Sequence, residues 1–210
     1  MEAAEVQGIP STYFDVLKEL GNIGAGNAMT ALSEMLGSRV DMDVPQVQLL
    51  DFKDVGEFLG GEEVVFLAVY LGVCGDVSGS MMFLTKTCDA KKLVSKILPR
   101  DLASAGEEMN EMEASAMREI GNIITGAYLN ALSEMTGLRI LSSPPDLVVD
   151  MAGAILSVPA VESGVLGDQL LLIESRFQSE LHLSGYYILV PDMDSYRRIL
   201  SSLGITLSNK

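Results

Sequence analysis

Histidine occurs once in this chain, at His182, and cysteine twice, at Cys74 and Cys88. A structural zinc site is usually closed by four such ligands, and a cysteine nucleophile needs a partner base, so either chemistry would have to be built from almost nothing and both are set aside. Basic residues are also scarce: 14 Lys and Arg stand against 29 Asp and Glu, a net charge of -15. A surface of that sign repels DNA, RNA and anionic membranes, so no nucleic-acid partner is expected. The acids are spread evenly, with 14 acids and 8 bases in residues 1–100 and 15 acids and 6 bases in the remainder, which rules out a separate acidic tail. The opening MEAAEVQGIP lacks the basic start and apolar core of a secretory signal, and the longest apolar run, VVFLAVYLGVC at 64–74, is too short to cross a bilayer. These absences predict a cytoplasmic chain, away from the membrane, with both cysteines as free thiols. What is present is apolar: 48% of 210 residues, enough to bury a substantial core in one large domain or two small ones.

The chain repeats itself. Residues 19–37 and 119–137 align without a gap at an offset of 100, with eleven of nineteen positions identical. The same offset pairs Lys18 with Arg118, Asp15 with Ser115 and Pro45 with Pro145; further on, VSGSMMFL from Val77 matches LSGYYILV from Leu183 at an offset of 106. A tandem duplication accounts for this, with repeats at about 11–98 and 110–204 joined through PRDLASAGEE at 99–108, the whole of 1–210 forming one domain.

Each half opens with apolar residues at three- and four-residue steps: Leu17, Leu20, Gly24, Ala28, Ala31, Leu32 and Met35, then Met117, Ile120, Ile124, Ala131, Leu132 and Met135. That spacing predicts helices over about 12–36 and 110–136, with Gly37 and Gly137 placed to take the left-handed conformation beyond their ends. Strand-like segments follow in each half: RVDMDVPQVQLL and RILSSPPDLVVD, then EVVFLAVYL and QLLLIESRF, then the two SG-containing stretches. Short helices, DAKKLVSKIL and MDSYRRILSSL, close the halves. The pattern reads α-β-β-β-α twice and predicts an α+β fold of approximate two-fold symmetry, two long helices packed on an antiparallel sheet.

Within the first helix stands GNIGAG, whose glycines resemble a phosphate loop. The order is wrong for one, because such loops run strand, glycine turn, helix start, whereas these glycines follow two turns of helical sequence. Neither copy contains Gly-Lys-Ser/Thr, and Gly24 is replaced by Ile124 in the second, so nucleotide binding is set aside. A glycine inside a helix costs about 1 kcal/mol relative to alanine, so each needs a local reason. Gly21 and Gly121 are assigned to packing against a neighbouring element. Gly26 and Gly126 fall on another face, in a stripe running Asp15, Glu19, Asn22, Gly26 and again Ser115, Glu119, Asn122, Gly126. A carboxylate, a carboxamide and bare backbone thus share one line on each helix. Spacing alone leaves two explanations open: a solvated face kept by duplication, or a duplicated functional site.

Asp or Ser, three residues, Glu, two residues, Asn, twenty-two residues and Pro is a pattern similar to that of the CheC-like phosphatases of bacterial chemotaxis. Asp15, Glu19, Asn22 and Pro45 match it, as do Ser115, Glu119, Asn122 and Pro145. The resemblance extends through GNIGAGNA, REIGNI and GSMMFL to nearly the whole chain. CheX-type relatives keep one motif and dimerise, and FliY-type relatives add a C-terminal switch domain; two complete motifs in a chain ending at Lys210 imply the monomeric, two-site form instead. The resemblance implies hydrolysis of the aspartyl phosphate on the response regulator CheY. Asn22 and Asn122 would position the attacking water, and Glu19 and Glu119 would pair with a lysine beside the phosphoryl group. Gly26 and Gly126 would permit close approach, while Pro45 and Pro145 would shape the following strands. No cofactor of its own is expected, since the regulator brings its Mg²⁺. It also implies binding of the receptor deamidase CheD, for which VVDMAGAI with Asp150 is a candidate surface and a plain strand-to-helix junction the other explanation. The alternative function is a non-catalytic adaptor that sequesters phosphorylated CheY or regulates CheD.

Overall fold

A computed structural model of the chain describes residues 11–37, 41–42, 46–99, 108–162, 169–178 and 183–204. The two long helices are α1 (Ser11–Leu36) and α4 (Glu111–Thr136). Both stop at the predicted glycines, which take left-handed backbone angles, φ 60° at Gly37 and 69° at Gly137. Gly137 donates its N–H to Ser133 O at 2.8 Å, satisfying one of the carbonyls a helix end leaves orphaned. At the other end of α4, Asn110 Oδ1 accepts the Glu113 N–H at 2.9 Å, and Glu113 Oε2 accepts the Asn110 N–H at 2.8 Å. This reciprocal cap fixes where the helix begins.

The first half continues with β1 (Asp41–Met42), β2 (Gln46–Asp51), α2 (Phe52–Phe58), β3 (Val65–Gly75), β4 (Gly79–Thr85) and α3 (Thr87–Ile97). The second continues with β5 (Ile140–Ser142), β6 (Asp146–Met151), α5 (Ala152–Glu162), β7 (Gln169–Gln178), β8 (Leu183–Pro191) and α6 (Met193–Ser202). The α-β-β-β-α pattern therefore needs correction: each half carries a further helix, α2 or α5, between its early strands and its long ones. Seven residues are too few for α2 to show a helical period, and α5, AGAILSVPAVE, is apolar on every side and contains Pro159.

All strand pairs are antiparallel, as expected, within one eight-stranded sheet. The two SG strands, β4 and β8, pair at its centre, flanked by β3 and β7. Outside these the halves exchange strands: β1 and β2 pair with β7, whereas β5 and β6 pair with β3. The pseudo-two-fold axis can be located from the register. Met82 and Ile188 are equivalent at the 106-residue offset, and they also face each other across the β4–β8 pair, so the axis passes between them.

Alternation along the strands divides the core. Leu67, Val69, Leu71, Met81, Phe83, Tyr187 and Leu189 point to the face covered by α1 and α4, with Leu93 and Val94 of α3 and Ile199 of α6 in the same cluster. Phe66, Ala68, Met82, Leu84, Ile188 and Val190 point to the opposite face and meet Val55 and Leu59 of α2 and Ala152, Ile155 and Leu156 of α5. The central strands β3, β4 and β8 are buried on both faces, which is why they read as nearly continuous apolar runs.

Two of the helix glycines are explained here. A Cβ on Gly121 would stand 2.5 Å from Val69 Cγ1, so α4 approaches β3 at a distance only glycine allows. A Cβ on Gly24 would clash with the Tyr128 ring at Cδ1, Cε1 and Cγ, and so Gly24 lets α1 and α4 pack together. Its replacement by Ile124 in the second copy goes with Ala28 standing where Tyr128 does, a small residue traded for a large one at equivalent places. Gly21 is buried, consistent with a packing role. Beneath α4, the rings of Tyr128 and Tyr187 lie 4.5 Å apart and those of Tyr187 and Phe83 stack at 5.1 Å. The Tyr187 hydroxyl is fully buried with no hydrogen-bond partner among the described residues, and burial first, then the neighbouring Tyr128, raises its pKa well above 10.0.

Candidate functional site

The stripe residues sit on the faces of α1 and α4 turned away from the sheet. Asp15, Glu19 and Asn22 are exposed, as are Ser115 and Glu119, while Gly26, Asn122 and Gly126 are half-buried. Their neighbours one step round the helix, Leu20, Ala25, Ile120 and Ile124, are buried in the core. The helical period thus separates the two sets. Among the described residues no ion pair engages Glu19 or Glu119. A Cβ added to Gly26 or Gly126 would meet nothing within 4 Å. These two glycines lie under open space, the reverse of Gly24 and Gly121, so each helix face has a notch where no side chain stands.

Of the two prolines in the motif, Pro45 lies outside the described residues. Pro145 is half-buried in the link between β5 and β6. That link is tied to β3, since Ser143 donates its N–H to Gly72 O at 2.8 Å and its Oγ accepts the Gly72 N–H at 2.9 Å. Lys18 and Arg118 are exposed beside the stripes. His182 lies outside the described residues. Cys74 and Cys88 are free and exposed. Among the described residues no three His, Cys, Asp or Glu side chains gather as metal ligands would, and no helix is long and apolar enough to cross a membrane.

A groove of about 570 Å³ runs between α1 and α4. Asn122 and Gly126 line it with Asn130 and Glu134, and α1 adds Asn27 and Ala31. The sequence pattern does not single out Asn27, Asn130 or Glu134. Glu134 repeats Glu34 and so carries a signal, but Asn27 and Asn130 differ from their equivalents Ala127 and Thr30 and carry none. Ser133, which also repeats, holds the fold together locally, since its Oγ donates to Leu138 O at 2.6 Å and secures the chain leaving α4.

A duplicated, strand-exchanged antiparallel sheet bearing a pair of long helices, each with an exposed Glu and an Asn in one stripe, defines the class to which this chain is similar. The model of the CheC-like family matches residues 15–49 and 112–149, the two helix-to-strand segments related by the repeat. Over 206 residues the chain is 32% identical to the CheY-P phosphatase CheC of Bacillus subtilis, an alignment covering 95% of this chain and 98% of that protein. The crystal structure of Thermotoga maritima FliY superposes with a TM-score of 0.74 at 21% identity, covering 93% of this chain and 98% of that one. That of the chemotaxis protein CheX from Desulfovibrio desulfuricans gives a TM-score of 0.52 at 16% identity, covering 83% and 99%. The chain belongs to the CheC-like family.

Proposed function

We propose that this protein is a phosphatase that hydrolyses the aspartyl phosphate of the response regulator CheY. The observation that carries the proposal is the duplicated stripe: an exposed Glu and, three residues on, an Asn beside an open notch, twice, in a chain related along nearly its whole length to a CheY-P phosphatase. In-line attack on a phosphoryl group asks the protein mainly to hold a water in line, with charge balanced elsewhere. A carboxamide both donates and accepts hydrogen bonds, so Asn22 and Asn122 can orient that water without a titrating base. Glu19 and Glu119, three residues earlier on the same line, can pair with a cation beside the phosphoryl group and set the helix in register. The notches at Gly26 and Gly126 admit the partner's surface close to the helix backbone. The Mg²⁺ that phosphoryl transfer uses comes with the regulator, and the protein acts as a cytoplasmic monomer.

The decay of phosphorylated CheY, followed with and without a substoichiometric amount of this protein, tests the proposal. Several turnovers per molecule are expected; decay at the unassisted rate together with stoichiometric binding makes it an adaptor instead. A second reading, regulation of CheD, is favoured by the surface around Asp150. There β6 passes into α5, the Asp150 side chain is exposed, and Val148, Val149 and Met151 are 42%, 47% and 46% exposed beside it. Apolar side chains of that size left in solvent suit a protein partner. Asp150→Lys should abolish CheD binding while leaving CheY-P turnover intact, and retention of CheD binding places that contact elsewhere.

A further inference from the structure

We infer that the second stripe works within a groove shared by both long helices, and that Asn130 determines how the polypeptide of the bound response regulator is held there. This deepens the reading above and rests on it. The groove of about 570 Å³ is open to solvent and larger than one phosphoryl group needs. A phosphoryl group in reach of Asn122 fills a small part of it, so the remainder faces the chain that carries the group. Its lining suits peptide. Asn27, Asn122 and Asn130 place three carboxamides around the groove, each able to donate and to accept, and Ala31 and Gly126 keep the walls low enough for a main chain to approach. Glu134, exposed on the same lining, suits a basic side chain of the occupant.

The repeat shows that one of these features belongs to one site. At the 100-residue offset Asn130 corresponds to Thr30, so the first stripe lacks that carboxamide, whereas Asn27 stands beside Gly26 on the first stripe's own helix and its equivalent Ala127 lines the same groove. Thr30 does not replace the missing group, because its hydroxyl donates to Gly26 O in its own helix at 3.0 Å. Elsewhere the two copies diverge by exchanging core volume, as at Gly24 and Tyr128. No such exchange explains position 130, which is exposed in its helix. Asparagine is a poor residue inside a helix, so its presence at a solvent-facing position on the groove with Asn122 calls for a contact made outside the fold.

The test isolates each site and then converts the second toward the first. Glu19→Ala leaves the second stripe as the docking site and Glu119→Ala leaves the first. Into each is placed Asn130→Thr, the residue of the other copy. Affinity for CheY carrying fluoroberyllate on its phosphorylation site is measured by titration calorimetry, with melting temperatures as the check on folding. Binding is expected to weaken at least tenfold in the Glu19→Ala background and by less than twofold in the Glu119→Ala background. Equal weakening in both, or none in either, overturns the inference. If the unaltered protein binds fluoroberyllate-loaded CheY but fails to turn over phosphorylated CheY, the phosphatase reading fails while the affinity ratio still decides this one.

Discussion

Asn22 and Asn122 project from helix positions where alanine would serve the fold better, so their removal separates chemistry from stability. Each single Asn→Ala substitution should leave partial CheY-P turnover, and the double variant should lose on the order of 10²-fold or more, with circular dichroism unchanged. A folded double variant with normal turnover would rule out water positioning. Glycine gives a sharper contrast. Because nothing lies within 4 Å of an added Cβ, Gly26→Ala with Gly126→Ala should stabilise the protein by up to about 1 kcal/mol per site while weakening its complex with CheY. Thermal melts and a binding titration on one preparation would decide it; tighter or equal binding sinks the notch. Tyr187 makes a third case. Its buried hydroxyl has no partner among the described residues, so Tyr187→Phe should gain about 1 kcal/mol at neutral pH. The folded-state pKa is raised, so the unfolded phenol ionises first: the wild type should lose stability as pH climbs above 10.0, and the Phe variant should lose less. Denaturant melts across that range would measure the widening gap. At this scale Glu19, Asn22, Glu119 and Asn122 were legible because the helical period could not explain them and the duplication showed them twice. Asn27 and Asn130 were illegible because the copies disagree there, and the groove they line exists only once two helices lie side by side.

The element that organises the site is the α1–α4 pair, and its closeness depends on the fit of Gly24 to Tyr128. Gly24→Ala should therefore cost about 1–3 kcal/mol from overpacking, despite the helix propensity it gains. The sign is opposite to that expected for Gly26→Ala two residues away, and urea melts of the two variants would show it. A stabilised Gly24→Ala protein would mean that the helices can separate without penalty. Both long helices could be read from sequence to within a residue or so, because 26 residues give the period many turns to repeat and a glycine marks each end. The helices α2 and α5 could not, one being too short and the other lacking a polar face against which a period would stand out. The strands were legible as strands, but their partners were not. Alternation records which face a residue occupies and says nothing of which neighbour its backbone joins.

Exchange of outer strands ties the whole molecule together. With β2 bonded to β7 and β6 to β3, each half leaves its own long strand with a bare edge and its first strands without partners. Residues 1–104 and 105–210 expressed separately should be unfolded or aggregated, and co-expression should restore a one-to-one complex with native-like circular dichroism. A folded, monomeric half would show that the exchange is dispensable. Joining both copies in one chain has a further effect, visible where Met82 faces Ile188 across the pseudo-axis. In an assembly of identical subunits a residue on the axis would face itself, and every mutation would be written into both halves at once. Here the axis is crossed by two different residues, and a change at position 24 is answered at 128 alone. Covalent linkage has released the symmetry as a constraint on heredity while keeping it as an architecture, so one site can acquire its own preferences while the other stays as it was.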